Sequence, residues 1–319
     1  MATSEDAGSR SSTKDLHALS PRQLALAISR LEAGSSLDAM RSLAPERPDC
    51  WVIGVTGPPG VGKSTTVAAL LDHACVDGAR VAVLAVDPSS PVGGGALLGD
   101  RVRMLAALDR HPDVFMRSLA TRSHLGGLSR ICPAAVNLLA HAGYDLIVLE
   151  TVGVGQAETE VMRIADTVLV VLGPDGGDWL QAAKSGIMEA GNVFAVGKAD
   201  RQGAEAMVRE VEAALHLRPA SAWEPVVLAF SALLNQGVDE LWQALGRHHE
   251  HIVAQGLKPL FPMRELAHAA VDAALDRVGE LQGSPLSALS PSQLLIELAG
   301  ILAQHTEGQA PPGITPSGE

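Results

Sequence analysis

The chain has 319 residues, 47% of them apolar, and carries 24 basic against 36 acidic side chains for a net charge of −12. That apolar share suits one α/β core of about 200 residues with flanking pieces. The acidic balance repels phosphate backbones and anionic headgroups, and no apolar run approaches the ~20 residues that span a bilayer, so nucleic acid and membrane are excluded as main partners.

Cys50, Cys75 and Cys132 lie far apart and form no CxxC pair, which predicts reduced thiols in a cytoplasmic protein. The opening MATSEDAGSRSSTKD lacks the apolar stretch of a secretory signal. Residues 1–48 read as a disordered start and a helical extension. Ser20 and Pro21 suit an N-cap and a first helical position, and Leu24, Ala27, Ile28 and Leu31 fall on one face of the helix they open. Gly34-Ser35-Ser36 interrupts, a second short helix follows, and Pro45 to Pro48 closes the section.

From residue 49 short apolar runs alternate with helical patterns. The runs are Trp51–Thr56, Val81–Val86, Leu146–Leu149, Val168–Leu172, Val193–Val196 and Val226–Phe230. Runs without polar alternation suit strands buried on both faces, and their alternation with helices predicts βαβ units. The fold class expected is α/β: a P-loop NTPase with a mainly parallel sheet of about seven strands flanked by helices, over residues 49–250. Val238–Val253 reads as one long helix. A helical arm over 251–306 has a stripe of Ala267, Ala270, Val271, Ala274, Leu275 and Val278, which predicts dimerisation. Residues 307–319 read as a disordered Pro/Gly tail.

Gly57-Pro58-Pro59-Gly60-Val61-Gly62-Lys63-Ser64 fills every fixed position of G-x-x-x-x-G-K-[ST], between a buried strand and a helix from Ser64 to Leu71. The glycines let successive N–H groups turn inward around phosphates, and the helix adds its positive end. Lys63 is the expected charge for the β- and γ-phosphates, Ser64 a hydroxyl ligand for Mg²⁺, and Thr65 a neighbour of the α-phosphate. Asp87 ends one strand, Glu150 ends another, and Asp100 follows in the glycine-rich stretch GGGALLGDR. Three carboxylates at or near strand ends are candidate Mg²⁺ ligands with Ser64.

Glu150-Thr151-Val152-Gly153 resembles the DxxG segment of GTPases, where the glycine N–H meets the γ-phosphate. Gln156 follows as a candidate for positioning the attacking water, with an ordinary exposed loop residue as the other reading. After Val193–Val196 comes Gly197-Lys198-Ala199-Asp200, at the place of the [NT]KxD segment of GTPases. An aspartate there accepts the guanine N1–H and N2–H₂, and the lysine stem packs on the base. Adenine has no such donor pair, so Asp200 is the expected guanine selector. Ser231-Ala232-Leu233, 31 residues after Asp200, resembles the loop whose N–H groups reach guanine O6.

Together, the stretches VTGPPGVGKST, AVDPSSPVGGGALLGDRVRM, RSLATRSHLGGLS, LIVLETVGVGQAE, GPDGGDWLQAAKSGIMEAGNVFAVGKAD and FSALLNQGVDELW resemble the MeaB/ArgK-type GTPases in order, over about 50 to 245. These are G-protein chaperones of adenosylcobalamin-dependent methylmalonyl-CoA mutase. The resemblance implies a P-loop G domain with helical extensions, a homodimer, and slow GTP hydrolysis that the mutase accelerates. It also implies GTP/GDP and Mg²⁺ as cofactors and gating of cofactor loading on the mutase, or on a related acyl-CoA mutase. Lys63, Glu150 and Gln156 are the catalytic candidates; Asp87, Asp100 and Glu150 fall on metal and switch positions; Lys184 falls in a third, partner-responsive segment. Gly197 stands where the pattern has Asn, Val92-Gly93 where it has Phe-Thr, and Ser123 where it has Gly.

Other features are set aside. Arg247-His248-His249-Glu250-His251 reads as a solvated helix face rather than a metal patch. Trp179 and Trp242 read as packing residues. Of Arg117, Arg122 and Arg130, one is a candidate for phosphate or partner and two read as surface arginines. Three further readings remain compatible with the sequence: a metallochaperone GTPase using His248 and His251, a P-loop kinase, and a nucleotide-binding interaction module with little catalysis.

Overall fold

The computed structural model describes residues 19–32, 49–87, 104, 107–120, 127–151, 161–174, 186–219 and 221–256. The chain divides into two units, Met1–Leu266 and Ala267–Glu319, and every described residue belongs to the first. The second short helix before Pro45, the arm beyond 256 and the tail lie outside the described residues, as do Asp100, Arg122, Gly153, Gln156, Trp179 and Lys184.

Among the described residues seven strands form one sheet: β1 (Trp51–Thr56), β2 (Val81–Asp87), β3 (Phe115–Ala120), β4 (Leu146–Thr151), β5 (Thr167–Leu172), β6 (Val193–Val196) and β7 (Val226–Ala229). Their order is β3-β2-β4-β1-β5-β6-β7, and each neighbouring pair runs parallel. The helices are α1 (Pro21–Glu32), α2 (Lys63–Ala74), α3 (Gly127–His141), α4 (Ile187–Ala190), α5 (Ala204–Leu215) and α6 (Val238–Ala254).

Alternate strand residues serve two cores. Ala82, Leu84, Val86, Ile147, Leu149, Val168 and Val170 face α1, α3 and α5, whose Leu24, Ile28, Cys132, Leu139, Met207 and Val211 are buried with them. Val81, Val83, Leu146, Val148, Leu169 and Val171 face α2 and α6, through Val67, Leu70, Leu71, Leu241 and Leu245. With both faces covered, no polar alternation survives in the central strands, and this is why they were legible as plain apolar runs.

β3 was not among the runs read from sequence. Among the described residues it is an edge strand, paired with β2 alone, and its Met116, Arg117 and Ser118 stay half-exposed, so its pattern is diluted. Arg117 does not serve phosphate. Its guanidinium donates to the Ala25 carbonyl at 2.6 Å and to Ser29 Oγ at 2.9 Å, which ties β3 to α1. The start of α1 agrees with the sequence. Ser20 N donates to Gln23 Oε1 at 2.8 Å while Gln23 N donates to Ser20 Oγ at 3.4 Å, a reciprocal cap. The three cysteines are free thiols. No helix among the described residues is long and apolar enough to cross a membrane.

Candidate nucleotide site

A parallel sheet delivers all its carboxyl ends to one edge, and the strand order switches sides at β1, with β2 to β4 on one side and β5 to β7 on the other. Open α/β sheets bind ligands at such a point. The phosphate loop lies there, between β1 and α2, with Gly57, Gly60 and Gly62 at φ of 139°, 80° and 102°. Gly57 is fixed by space as well: a Cβ there would sit 2.0 Å from the Val171 carbonyl oxygen of β5. Pro59 and Gly60 are exposed, whereas Pro58 and Val61 are buried and seat the loop.

Lys63 is the first residue of α2 and is buried. Its ammonium donates to the Gly57 and Pro58 carbonyls at 2.7 and 2.9 Å, so it lies folded along the loop it serves. Thr65, two residues on, is exposed near the amino end of the helix, where a phosphate could meet it.

Ser64 and Glu150, expected as metal ligands, are brought together. Ser64 Oγ donates to Glu150 Oε1 at 2.5 Å, and both side chains are buried. Register explains the meeting, since Glu150 sits beside Val55 of β1, two residues before the loop begins. A hydroxyl and a carboxylate, both hard oxygen donors, at the amino end of α2 fit a small divalent cation such as Mg²⁺. Asp87 is the last residue of β2, one step past the Val86–Thr151 pair, so its backbone reaches the same edge.

The base segment leaves β6 on this edge. Gly197 N donates to the Leu172 carbonyl at 2.8 Å and Ala199 N to the Phe230 carbonyl at 3.0 Å, which clamps the segment between β5 and the end of β7. Lys198, held between those bonds, adopts φ of 57°, a conformation that costs a non-glycine residue about 1–2 kcal/mol. Its ammonium reaches across to the Gly60 carbonyl at 3.2 Å, a link that the sequence pattern alone did not disclose.

Asp200 is exposed, and its Oδ1 accepts the Ser231 hydroxyl at 2.7 Å. That hydrogen bond holds the Asp200 carboxyl below the usual carboxylate range. Ser231 is buried and pairs through its backbone with Gln236, closing a turn that carries Ala232 half-buried and Leu233 exposed. The Ser231 hydroxyl also accepts the Leu234 N–H at 3.3 Å. One hydroxyl thus orders both the Asp200 carboxylate and the turn that follows Ser231, the two elements expected beside guanine.

The histidine run is not a solvated face. His248 is buried, its Nδ1 lies 2.9 Å from Thr167 Oγ1, and Trp51 Nε1 donates to the same oxygen at 3.0 Å. The Trp51 ring stacks on His249 at 4.6 Å and the Trp223 ring meets His248 edge-on at 4.8 Å. Helical spacing turned one of the three histidines inward, onto the amino-terminal edge of the sheet, far along the strands from the phosphate loop. Burial pushes the His248 imidazole down to about 4, aided by the neighbouring His251 and His249. Trp242 packs against Trp51 with centroids 5.6 Å apart, as a packing residue should. Among the described residues no group of three or more His, Cys, Asp or Glu is placed to hold a metal.

A strand–phosphate loop–helix unit, an acidic strand end bonded to its serine, and a KxD segment beside a serine turn define a P-loop nucleoside triphosphatase of the GTPase class. The sequence matches the family described as Methylmalonyl Co-A mutase-associated GTPase MeaB over residues 21–277, and the chain belongs to that family. A GTPase-family protein of Pyrococcus abyssi is 42% identical over 226 residues, 69% of this chain and 68% of its own length. GTPase ArgK of Escherichia coli is 43% identical over 209 residues, 64% of this chain and 63% of that protein. The mouse methylmalonic aciduria type A homolog is 38% identical over 215 residues, 66% of this chain and 52% of that protein. Among solved structures, a LAO/AO transport system kinase superposes with a TM-score of 0.63 at 25% identity, over 94% of this chain and all of that one.

Proposed function

We propose that this GTPase acts as a chaperone for an adenosylcobalamin-dependent acyl-CoA mutase such as methylmalonyl-CoA mutase, gating cofactor loading and protecting the loaded enzyme. The observation that carries the reading is the Ser64–Glu150 contact. It joins the phosphate-loop helix to the strand end from which residues 152–156 continue, so occupancy at the phosphates is coupled to a segment that a partner can sense.

In the hydrolysis reaction water attacks the γ-phosphorus, the bond to the β-phosphate oxygen breaks, and GDP and phosphate leave. Lys63 supplies fixed positive charge to the β- and γ-oxygens while the inward N–H groups of residues 57–65 hold the chain of phosphates. The Gly153 N–H meets the γ-phosphate, and Gln156 orients the water. Mg²⁺, held by Ser64 and Glu150 with Asp87 and Asp100, would neutralise charge on the phosphate oxygens. Asp200 selects guanine, Lys198 packs on the base, and the Ser231–Leu233 turn offers N–H groups to O6. Residues 251–306 form the dimerising arm in this account.

The test is GTP turnover with and without an adenosylcobalamin-dependent mutase. Acceleration by the mutase, together with slower inactivation of the mutase, supports the reading. Turnover that ignores the mutase, with mutase inactivation unchanged, contradicts it.

A further inference from the structure

Gly197 has none of the usual structural reasons to be glycine. It is absent from the positive-φ residues, and a Cβ built on it lies 3.5 Å from the Phe230 ring, 3.5 Å from the Val61 carbonyl oxygen and 3.6 Å from the Leu172 carbonyl oxygen. Those are ordinary van der Waals separations, so a side chain fits without displacing backbone. The contrast with Gly57, where a Cβ would strike a carbonyl oxygen at 2.0 Å, is plain. The residue is nevertheless buried, at the hinge where β6 passes into the base segment.

The surroundings say what a side chain here would do. One of its three nearest atoms is the carbonyl oxygen of Val61, inside the phosphate loop. A short side chain with an N–H or O–H would reach that oxygen and bond the base segment to the phosphate loop. Among the hydrogen bonds described, the Lys198 ammonium on the Gly60 carbonyl makes that connection, at 3.2 Å and half-exposed. A long, flexible lysine in a partly solvated bond is a weak brace.

We propose that Gly197 sets how long this site keeps its nucleotide: by leaving the Val61 carbonyl without a side-chain donor from the base segment, it loosens the two halves of the site and speeds release of GDP. The proposal rests on the reading that Asp200 and Lys198 hold guanine beside the phosphate loop. It assigns the residue an affinity-determining role. Gly197 itself touches no reacting atom.

The experiment follows release of a fluorescent GDP analogue from the full chain with Mg²⁺, comparing wild type with Gly197→Asn, Gly197→Ser and Gly197→Ala. One added net hydrogen bond corresponds to release about three- to tenfold slower. That slowing is expected in Gly197→Asn and in the smaller donor Gly197→Ser, with Gly197→Ala close to wild type because it adds bulk without a donor. Thermal melts without nucleotide verify folding, and Gly197→Ser keeps the test open if the larger Asn disturbs the fold. Release from folded Asn and Ser variants as fast as from wild type would overturn the proposal, and so would equal slowing by Ala. Failure of the underlying reading has a different signature: wild type that binds no guanine nucleotide, or binds it equally after Asp200→Ala.

Discussion

The hydroxyl of Ser231 lies 2.7 Å from the Asp200 carboxylate and donates to it across 31 residues of chain. The bond holds the carboxylate in place, and in the proposed function that carboxylate accepts two donors from a guanine edge. It also favours the ionised form, and only the ionised form accepts both. Ser231→Ala should therefore weaken GDP binding about three- to tenfold, read by calorimetry. The pH dependence has a definite sign. Because the Asp200 pKa is depressed, binding persists as pH falls through the usual carboxylate range and is lost only below it. In Ser231→Ala the loss should move up to ordinary carboxylate pH.

Gly57 and Gly60 should respond differently to alanine. At Gly57 a Cβ meets the Val171 carbonyl oxygen at 2.0 Å and φ is 139°, so Gly57→Ala should cost about 3 kcal/mol or more and abolish nucleotide binding. At Gly60 φ is 80° but nothing lies within 4 Å of the added carbon, so Gly60→Ala should cost only about 1–2 kcal/mol. Denaturant melts of the nucleotide-free chains separate the two.

Ser64→Ala and Glu150→Gln each remove one side of a buried oxygen pair. Each should lower GTP turnover by about two orders of magnitude and make nucleotide affinity insensitive to chelation of Mg²⁺. Wild type treated with a chelator should resemble the variants in affinity for a GTP analogue. Turnover in either variant within a few-fold of wild type would remove the pair from the mechanism.

His248 makes the fold acid-sensitive. Its folded pKa of about 4 lies below the ordinary histidine value of 6.5, so the unfolded chain binds the extra proton first. Stability contributed by the neutral ring is fully present above pH 6.5 and declines as pH falls toward 4, by roughly 2–3 kcal/mol in all. His248→Asn, which keeps a polar group near Thr167, should flatten the melting-temperature profile across that window. His251 and His249 face the ring, and their charge adds to the burial that holds its pKa down. A wild-type profile already flat between pH 6.5 and 4 would contradict the burial argument.

Much of this fold was readable because buried parallel strands carry no polar residues to blur them. All six expected runs begin within one residue of an observed strand and end within two, and Trp51–Thr56 and Val193–Val196 match at both ends. The sixth, at Val226, overran because Phe230 is buried but lies past the last strand residue. β3 escaped because an edge strand can keep an arginine, and Arg117 looks like a surface charge until α1 is packed against it. The phosphate loop, Ser64 and Glu150 were legible because their chemistry is tied to position along the chain. The Lys198–Gly60 bond, the Ser231 hydrogen bond to Asp200 and the inward turn of His248 were not, since each depends on loops from distant strands meeting in space.

The most direct test of the central claim is calorimetric titration of the Mg²⁺-loaded protein with GDP, a non-hydrolysable GTP analogue and the matching ATP analogue, with Asp200→Ala alongside. The account predicts binding of both guanine nucleotides, little or none of the adenine analogue, and loss of guanine binding in Asp200→Ala. Equal or preferential binding of the adenine analogue, or guanine binding that survives Asp200→Ala, would contradict it.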